Sequence, residues 1–276
     1  MTEDTELNLK TPKKNRVLFV VGIAIALIIV IVVIGFIESR IIDNKKVSKA
    51  IRFADDYAMV VVQEGSFQMG TDMGWSNQKP KHKVNLNGFY IGKYEVTQKQ
   101  WKEVMGNNPS RFSGCDDCPV EQVSWTDIQE FIRRINYKNN LGFRLPTEAE
   151  WEFAAIGGNK SKGFRYSGSD DKNAVAWYDS NSKGKTEPVG IKDSNELGIY
   201  DMSGNVMEWC NDYFDHDYYK SSPTNNPKGP SYGKERVLKG GDWAISYIND
   251  EPQLRFYSSP DIRNEYFGFR LCRDIK

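Results

Sequence analysis

A chain of 276 residues is long enough for one large core plus an appendage, because single cores stop growing near about 250–300 residues. Lys plus Arg and Asp plus Glu balance at 37 each, so no global field draws the protein to nucleic acid, and association must rest on local sites. An aromatic share of 13% with 23 glycines argues against disorder and for a folded domain rich in loops. In sequence order, residues 1–16 are a polar tail. Residues 17–37 then read VLFVVGIAIALIIVIVVIGFI without a charge. As a helix rising about 1.5 Å per residue, this run matches a hydrocarbon core roughly 30 Å thick, so it is expected to cross the lipid bilayer as an uncleaved signal anchor. Lys10, Lys13, Lys14 and Arg16 precede it, which predicts a cytoplasmic N-terminus and an extracytoplasmic domain in the periplasm or at the cell surface. Arg40, Lys45, Lys46 and Lys49 weaken that asymmetry. Residues 38–54 read as a charged spacer and 55–276 as the domain.

From Met59 the pattern turns strand-like, since MVVVQEGSFQMG and VNLNGFYIGKYEVT mix β-branched and aromatic residues with Gly, Asn and Asp. Three helices are predicted from N-caps at Thr97, Thr126 and Thr147, each leading into apolar residues at helical spacing. The third is the best specified, because Thr147 and Glu150 form a T-x-x-E capping box after Pro146 and Gly157 with Gly158 can end the helix. Short strands, three helices and long loops amount to an α+β domain.

Six segments occur in one fixed order: EVTQKQW from Glu95, PVEQVSW from Pro119, RLPTEAEWEFAA from Arg144, GIYDMSGNVMEW from Gly198, RVLKGGDW from Arg236 and GFRL from Gly268. In that order they resemble the formylglycine-generating enzyme, or sulfatase-modifying factor, family over residues 58 to 274. The resemblance implies a formylglycine-generating-enzyme-like variant of the C-type-lectin-like fold, with little regular secondary structure. The tryptophans at 101, 125, 151, 209 and 243 recur once per motif and are expected to anchor packing. Trp75 and Trp177, in loop-like contexts, are better placed to form a stacking surface.

Enzymes of this family hold copper through two cysteines between the KGG and GFR motifs. Here Lys239-Gly240-Gly241 and Gly268-Phe269-Arg270 bound the stretch DWAISYINDEPQLRFYSSPDIRNEYF, which contains no cysteine. Without a soft thiolate pair the cuprous ion loses its ligands, so copper is not expected and the protein leans away from oxidase chemistry. A related branch uses histidine-held iron, but His82 and His216 are too few for it. Cys115 and Cys118 suit a disulfide that closes a loop, with a labile thiol pair or a metal clip as alternatives. Cys210 and Cys272 are either free buried thiols or bridge one another.

Calcium is the cofactor that the resemblance carries over. One site maps onto Asp201, Gly204, Val206 and Glu208, where oxygen donors on a tight turn suit a hard cation. A second would fall on Asn173, Ala174, Asn181 and Lys183. Arg255, five residues before Pro260, matches an arginine that the family places beside its substrate groove. Asp242, Trp243, Arg255 and Tyr257 are therefore the candidate groove residues. The expected function is a membrane-tethered, non-catalytic binding domain for an unidentified peptide or protein. The alternatives are formylglycine generation on a sulfatase cysteine and a structural part in a cell-envelope assembly.

Overall fold

The structure, a computed structural model, describes residues 57–245 and 251–275, with Gly35 ahead of them. The anticipated membrane span at 17–37 therefore lies outside the described residues apart from Gly35, which is helical. Among the described residues no helix is long and apolar enough to cross a membrane.

Among the described residues, three sheets and four helices build the domain. Strands β1 (Met59–Val62), β4 (Phe89–Gly92), β5 (Phe143–Arg144) and β10 (Cys272–Asp274) form a four-stranded sheet in the order β1-β4-β10-β5. Strands β2 (Gly65–Met69) and β3 (His82–Leu86) form a separate hairpin with Phe67 opposite Val84. A second four-stranded sheet runs β8-β7-β6-β9, from β6 (Met207–Tyr213), β7 (Arg236–Lys239), β8 (Phe256–Ser258) and β9 (Phe267–Gly268).

Each of the three longer helices starts on a reciprocal capping box, which satisfies two of the amides a helix start leaves open. In α1 (Gln98–Met105) Thr97 and Gln100 exchange these bonds, and in α3 (Glu148–Ala155) Thr147 and Glu150 do so. Helix α2 (Trp125–Asn139) is capped by Ser124 and Asp127, two residues before the expected Thr126. Ser124 wins because Asp127 can reach back to its amide, at 3.0 Å, while Thr126 Oγ1 bonds Asp261 instead. Helix α4 (Lys172–Val175) is a single turn that the sequence did not announce.

Helix α3 sets the architecture. All eight of its residues are buried, although three are glutamates. A buried carboxylate persists only when paired. Accordingly Glu148 meets Arg255, Glu150 meets Arg144 at 2.7 Å and Glu152 meets Lys239 at 2.9 Å. One apolar cluster surrounds α3 through Trp151, Phe153 and Ala154 and reaches Val237, Cys210 and Cys272. A second lies beneath α2, where Trp101 stacks on Phe131 at 5.2 Å and packs with Trp209 and Phe269. Trp101, Trp151 and Trp209 are thus core anchors, whereas Trp125 and Trp243 are only half-buried. Removing one of the buried indoles would cost about 3–5 kcal/mol.

Candidate functional site

The turn before β6 brings together the residues expected to hold calcium. Asp201, Gly204 and Asn205 all take left-handed backbone conformations, with φ of +57°, +81° and +63°. Gly204 leaves no room for a substituent, because an added Cβ would lie 2.1 Å from the Trp177 carbonyl oxygen. Close backbone approach therefore requires glycine there. Glu208 lies on β6 and is gripped by Arg270, Nε to Oε2 at 2.6 Å and Nη2 to Oε1 at 2.5 Å. Trp151 Nε1 also donates to Glu208 Oε2 at 2.7 Å. Arg270 uses its remaining donors on the Gly92 and Tyr200 carbonyls.

Two further carboxylates crowd this pair. Glu95 accepts from Asn205 Nδ2 at 2.7 Å and from the Val206 amide at 3.2 Å. Burial, followed by the charges of Asp201 and Glu208, pushes its carboxyl well above the ordinary carboxylate range. Asp201 accepts from the Gly190 amide through Oδ2 at 2.7 Å, while its buried Oδ1 has no partner among the described residues. Burial pushes Asp201 up to about 6. Three buried carboxyls thus face one guanidinium, and for Glu95 and Asp201 desolvation together with like charge disfavours ionisation. Glu95 was not singled out from sequence; its place at the head of the EVTQKQW segment was the available signal.

The donors present fit a hard cation. Asp201 Oδ1 is open, whereas both Glu208 oxygens are held by Arg270, so Glu208 would share an oxygen with the ion and the Gly204 and Val206 carbonyls would have to complete the set. Among the described residues no three His, Cys, Asp or Glu side chains are arranged as metal ligands, so backbone oxygens would have to complete such a shell. The second expected set differs. Asn173 Oδ1 accepts from the Tyr178 hydroxyl and the Asn173 carbonyl from Lys192 Nζ at 2.6 Å. Ala174 O accepts from Asp193 N, and Asn181 Oδ1 from Tyr178 N. Lys183 is held at φ +58° beside them. These oxygens are already engaged, and the ammonium of Lys192, 4.2 Å from the centre of the Trp177 ring, supplies positive charge there.

The groove residues divide. One face of the second sheet carries Met207, Leu238, Phe256 and Phe267, since Leu238 lies opposite Phe256 and Met207 opposite Phe267. With Trp75 and Tyr257 these line an open cleft of about 560 Å³. Trp75 meets Phe256 edge-on at 6.0 Å, and Tyr257 stacks on Phe214 at 4.0 Å; both are about half exposed. Arg255 forms part of the cleft floor but is 1% exposed. Its Nε and Nη2 bond Glu148 at 2.6 and 3.0 Å and its Nη1 bonds the Asn77 carbonyl, so it holds the scaffold together. Asp242 is buried, accepts from the Ala244 amide and is pushed up to about 6 by burial. Trp243 packs edge-on against Phe112 and donates to the Glu265 carbonyl.

The sulfur atoms do not fit copper. Cys115 and Cys118 are joined, with Sγ atoms 2.08 Å apart. Cys210 and Cys272 are free and buried in the core around α3. Burial raises both thiols well above their usual range, with Asp212 beside Cys210 and Glu150 beside Cys272 adding to the effect. Neither is a thiolate poised for a metal. His216 is exposed, whereas His82, half-buried on β3, packs against Tyr219 with ring centres 4.7 Å apart.

Comparison with known proteins places the domain. Residues 44–275 match the Sulfatase-modifying factor enzyme 1-like domain. Chaperone protein LppX of Paenibacillus barcinonensis is 39% identical over 241 residues, covering 69% of this chain and 80% of that protein. Serine/threonine-protein kinase Pkn1 of Chlamydia trachomatis is 32% identical over 247 residues, but the present sequence spans only 38% of the kinase's length. Formylglycine-generating enzyme of Streptomyces coelicolor is 36% identical over 196 residues, covering 65% of this chain and 60% of that protein. Among solved structures, Treponema denticola variable protein 1 superposes with a TM-score of 0.74 at 34% identity, covering 79% of this chain and 95% of that one. The chain belongs to the family of sulfatase-modifying factor enzyme 1-like domains.

Proposed function

We propose that this protein is a membrane-tethered, extracytoplasmic member of its family that binds a peptide or protein partner at the aromatic cleft and performs no copper-dependent oxidation. The observation that carries this reading is chemical. The stretch between Gly241 and Gly268 holds no cysteine, and the four cysteines of the protein are a closed pair and two buried thiols. An intact scaffold with exposed rings at its cleft is suited to recognition, because large rings supply contact area at small cost in conformational freedom. A relative named as a chaperone and another named as a kinase support the view that this domain serves outside oxidation. Tethering rests on the apolar run at 17–37.

Calcium belongs to the same proposal. Asp201, Gly204, Val206 and Glu208 would hold the ion, which would neutralise part of the buried acid excess and tie the turn to Glu208 on β6. The decisive experiment incubates the purified full-length protein with copper and a sulfatase-derived cysteine peptide, then reads the peptide by mass spectrometry. No aldehyde product and no stoichiometric copper are expected. Formylglycine in the peptide would overturn the reading.

A further inference from the structure

The loop closed by Cys115 and Cys118 reaches the candidate ion turn through two segments. The first is residues 95–99, which run into α1. The Cys118 carbonyl accepts from the Gln98 amide at 2.9 Å and the Asp116 carbonyl from the Lys99 amide at 3.0 Å. Just past the loop, the Val120 amide donates to the Val96 carbonyl at 2.9 Å. Glu95, at the head of this segment, bonds the Asn205 side chain and the Val206 amide. The second segment is residues 186–190. There the Asp117 carbonyl accepts from the Val189 amide at 3.0 Å, and Cys118 Sγ lies 3.9 Å from the Thr186 carbonyl oxygen. The next amide, of Gly190, donates to Asp201 Oδ2 at 2.7 Å, and Glu187 exchanges two bonds with the Asn205 side chain, at 3.0 and 3.2 Å.

Asp201 is thus tied to the disulfide loop through adjacent amides, and Val206 through the segment that begins with Glu95. A cross-link restricts the conformations open to the loop, so the carbonyls of Asp116, Asp117 and Cys118 stay where these amides need them. With the bond opened, the loop gains freedom that is lost again when the turn is set for an ion. The bond is also within reach of a reductant. Cys115 is half-buried and Asp116 and Asp117 are exposed, whereas Cys118 is 3% exposed. A dithiol therefore attacks Cys115 Sγ as its thiolate, forms a mixed disulfide there and expels Cys118, which takes up a proton. Its second thiol then displaces Cys115, so two electrons and two protons pass to the protein and the reductant leaves as a cyclic disulfide. We infer that the Cys115–Cys118 bond is a redox latch on the calcium turn, which holds Asp201 and the Val206 carbonyl set for the ion when closed and lowers the affinity when a dithiol opens it. The latch rests on the calcium role proposed above and adds its regulation. Linkage makes the effect mutual, so bound calcium protects the disulfide from reduction by the same factor.

The test uses the full-length protein in detergent. Calorimetric titration with calcium chloride compares the oxidised protein, the protein reduced with dithiothreitol, and the joint variant Cys115→Ser and Cys118→Ser. Calcium is expected to bind the last two at least about fivefold more weakly than the first. Wild-type protein reoxidised after reduction should regain the tighter affinity, which separates the latch from misfolding of a variant. In the converse experiment the oxidised protein is equilibrated with dithiothreitol buffers in calcium or in chelator, quenched with acid and alkylated. The peptide of Cys115 and Cys118 is then read by mass spectrometry. Calcium should shift the ratio of disulfide to dithiol by the same factor, and Asp201→Ala should remove that shift. Equal calcium affinity of oxidised and reduced protein, or a disulfide ratio indifferent to calcium, would overturn the inference. If the oxidised protein takes up no calcium, the calcium role fails and the latch with it, and titration of that sample alone tells the two failures apart.

Discussion

Arg255 and Arg270 are both buried and both bidentate to a glutamate, yet the networks around them differ in charge balance. Around α3, Glu148 and Glu152 pair with Arg255 and Lys239, while buried Asp212 beside Glu148 is pushed well above the ordinary carboxylate range by burial and then by Glu148. Burial alone would raise Glu148, but Arg255 and Lys239 hold its carboxyl below the ordinary value. Around the 201–208 turn, Glu95, Asp201 and Glu208 face Arg270 alone, and there burial wins for Glu95 and Asp201. Paired carboxylates of this kind are scaffold. A buried carboxyl without a counter-charge favours taking up a proton or a cation, and the unpartnered Asp201 Oδ1 is what marks the second network as the candidate ion site.

The comparison can be broken most strongly at the paired network. Glu148→Ala or Arg255→Ala leaves one buried charge unpaired and should cost about 3–5 kcal/mol in chemical denaturation, with the joint change Glu148→Leu and Arg255→Met costing far less. A joint variant no more stable than the single ones would show that the pair is not the unit of stability. Calcium sharpens the contrast next. At a hundredfold excess over its dissociation constant the ion should add about 3 kcal/mol, read as a fall in melting temperature on chelation. Asp201→Ala should abolish that response, and Glu152→Gln should leave it in place. Acidification gives the smallest and most selective effect. Because the folded-state pKa of Glu148 is depressed, its contribution is present above about pH 4.5 and lost as pH falls through the folded value. Denaturation midpoints of the wild type should therefore drop below about pH 4.5, and those of Glu148→Gln should drop less.

Much of the fold was legible because its signals are local. Thr97 and Thr147 cap helices with partners three residues away, so their roles show in a short window. The shift from Thr126 to Ser124 came from Asp127 competing as the reciprocal partner, a choice between neighbours that pattern alone does not rank. The missing thiols were plain, since the flanking glycine motifs bound the gap. Long-range pairing was not legible. Glu148 and Arg255 are 107 positions apart, and Asn77 reaches the Arg255 carbonyl across 178, so no spacing rule links them. For that reason the resemblance marked Arg255 as a groove residue, which lines the cleft, while its clamp on Glu148 was not visible in the sequence. The exposed position of Trp75 agrees with its loop-like context in the sequence.

The position of β10 has a consequence for how such a domain is made. This strand is laid between β4 and β5, with Cys272 opposite both Ile91 and Arg144. The early strands wait beside an empty slot until the GFRL segment and its successor emerge from the ribosome. During synthesis the nascent polypeptide therefore has an incomplete first sheet, with the Glu208 carboxylate still lacking the guanidinium that follows Phe269. Premature termination before Arg270 would remove the sheet's inner strand and the central counter-charge together.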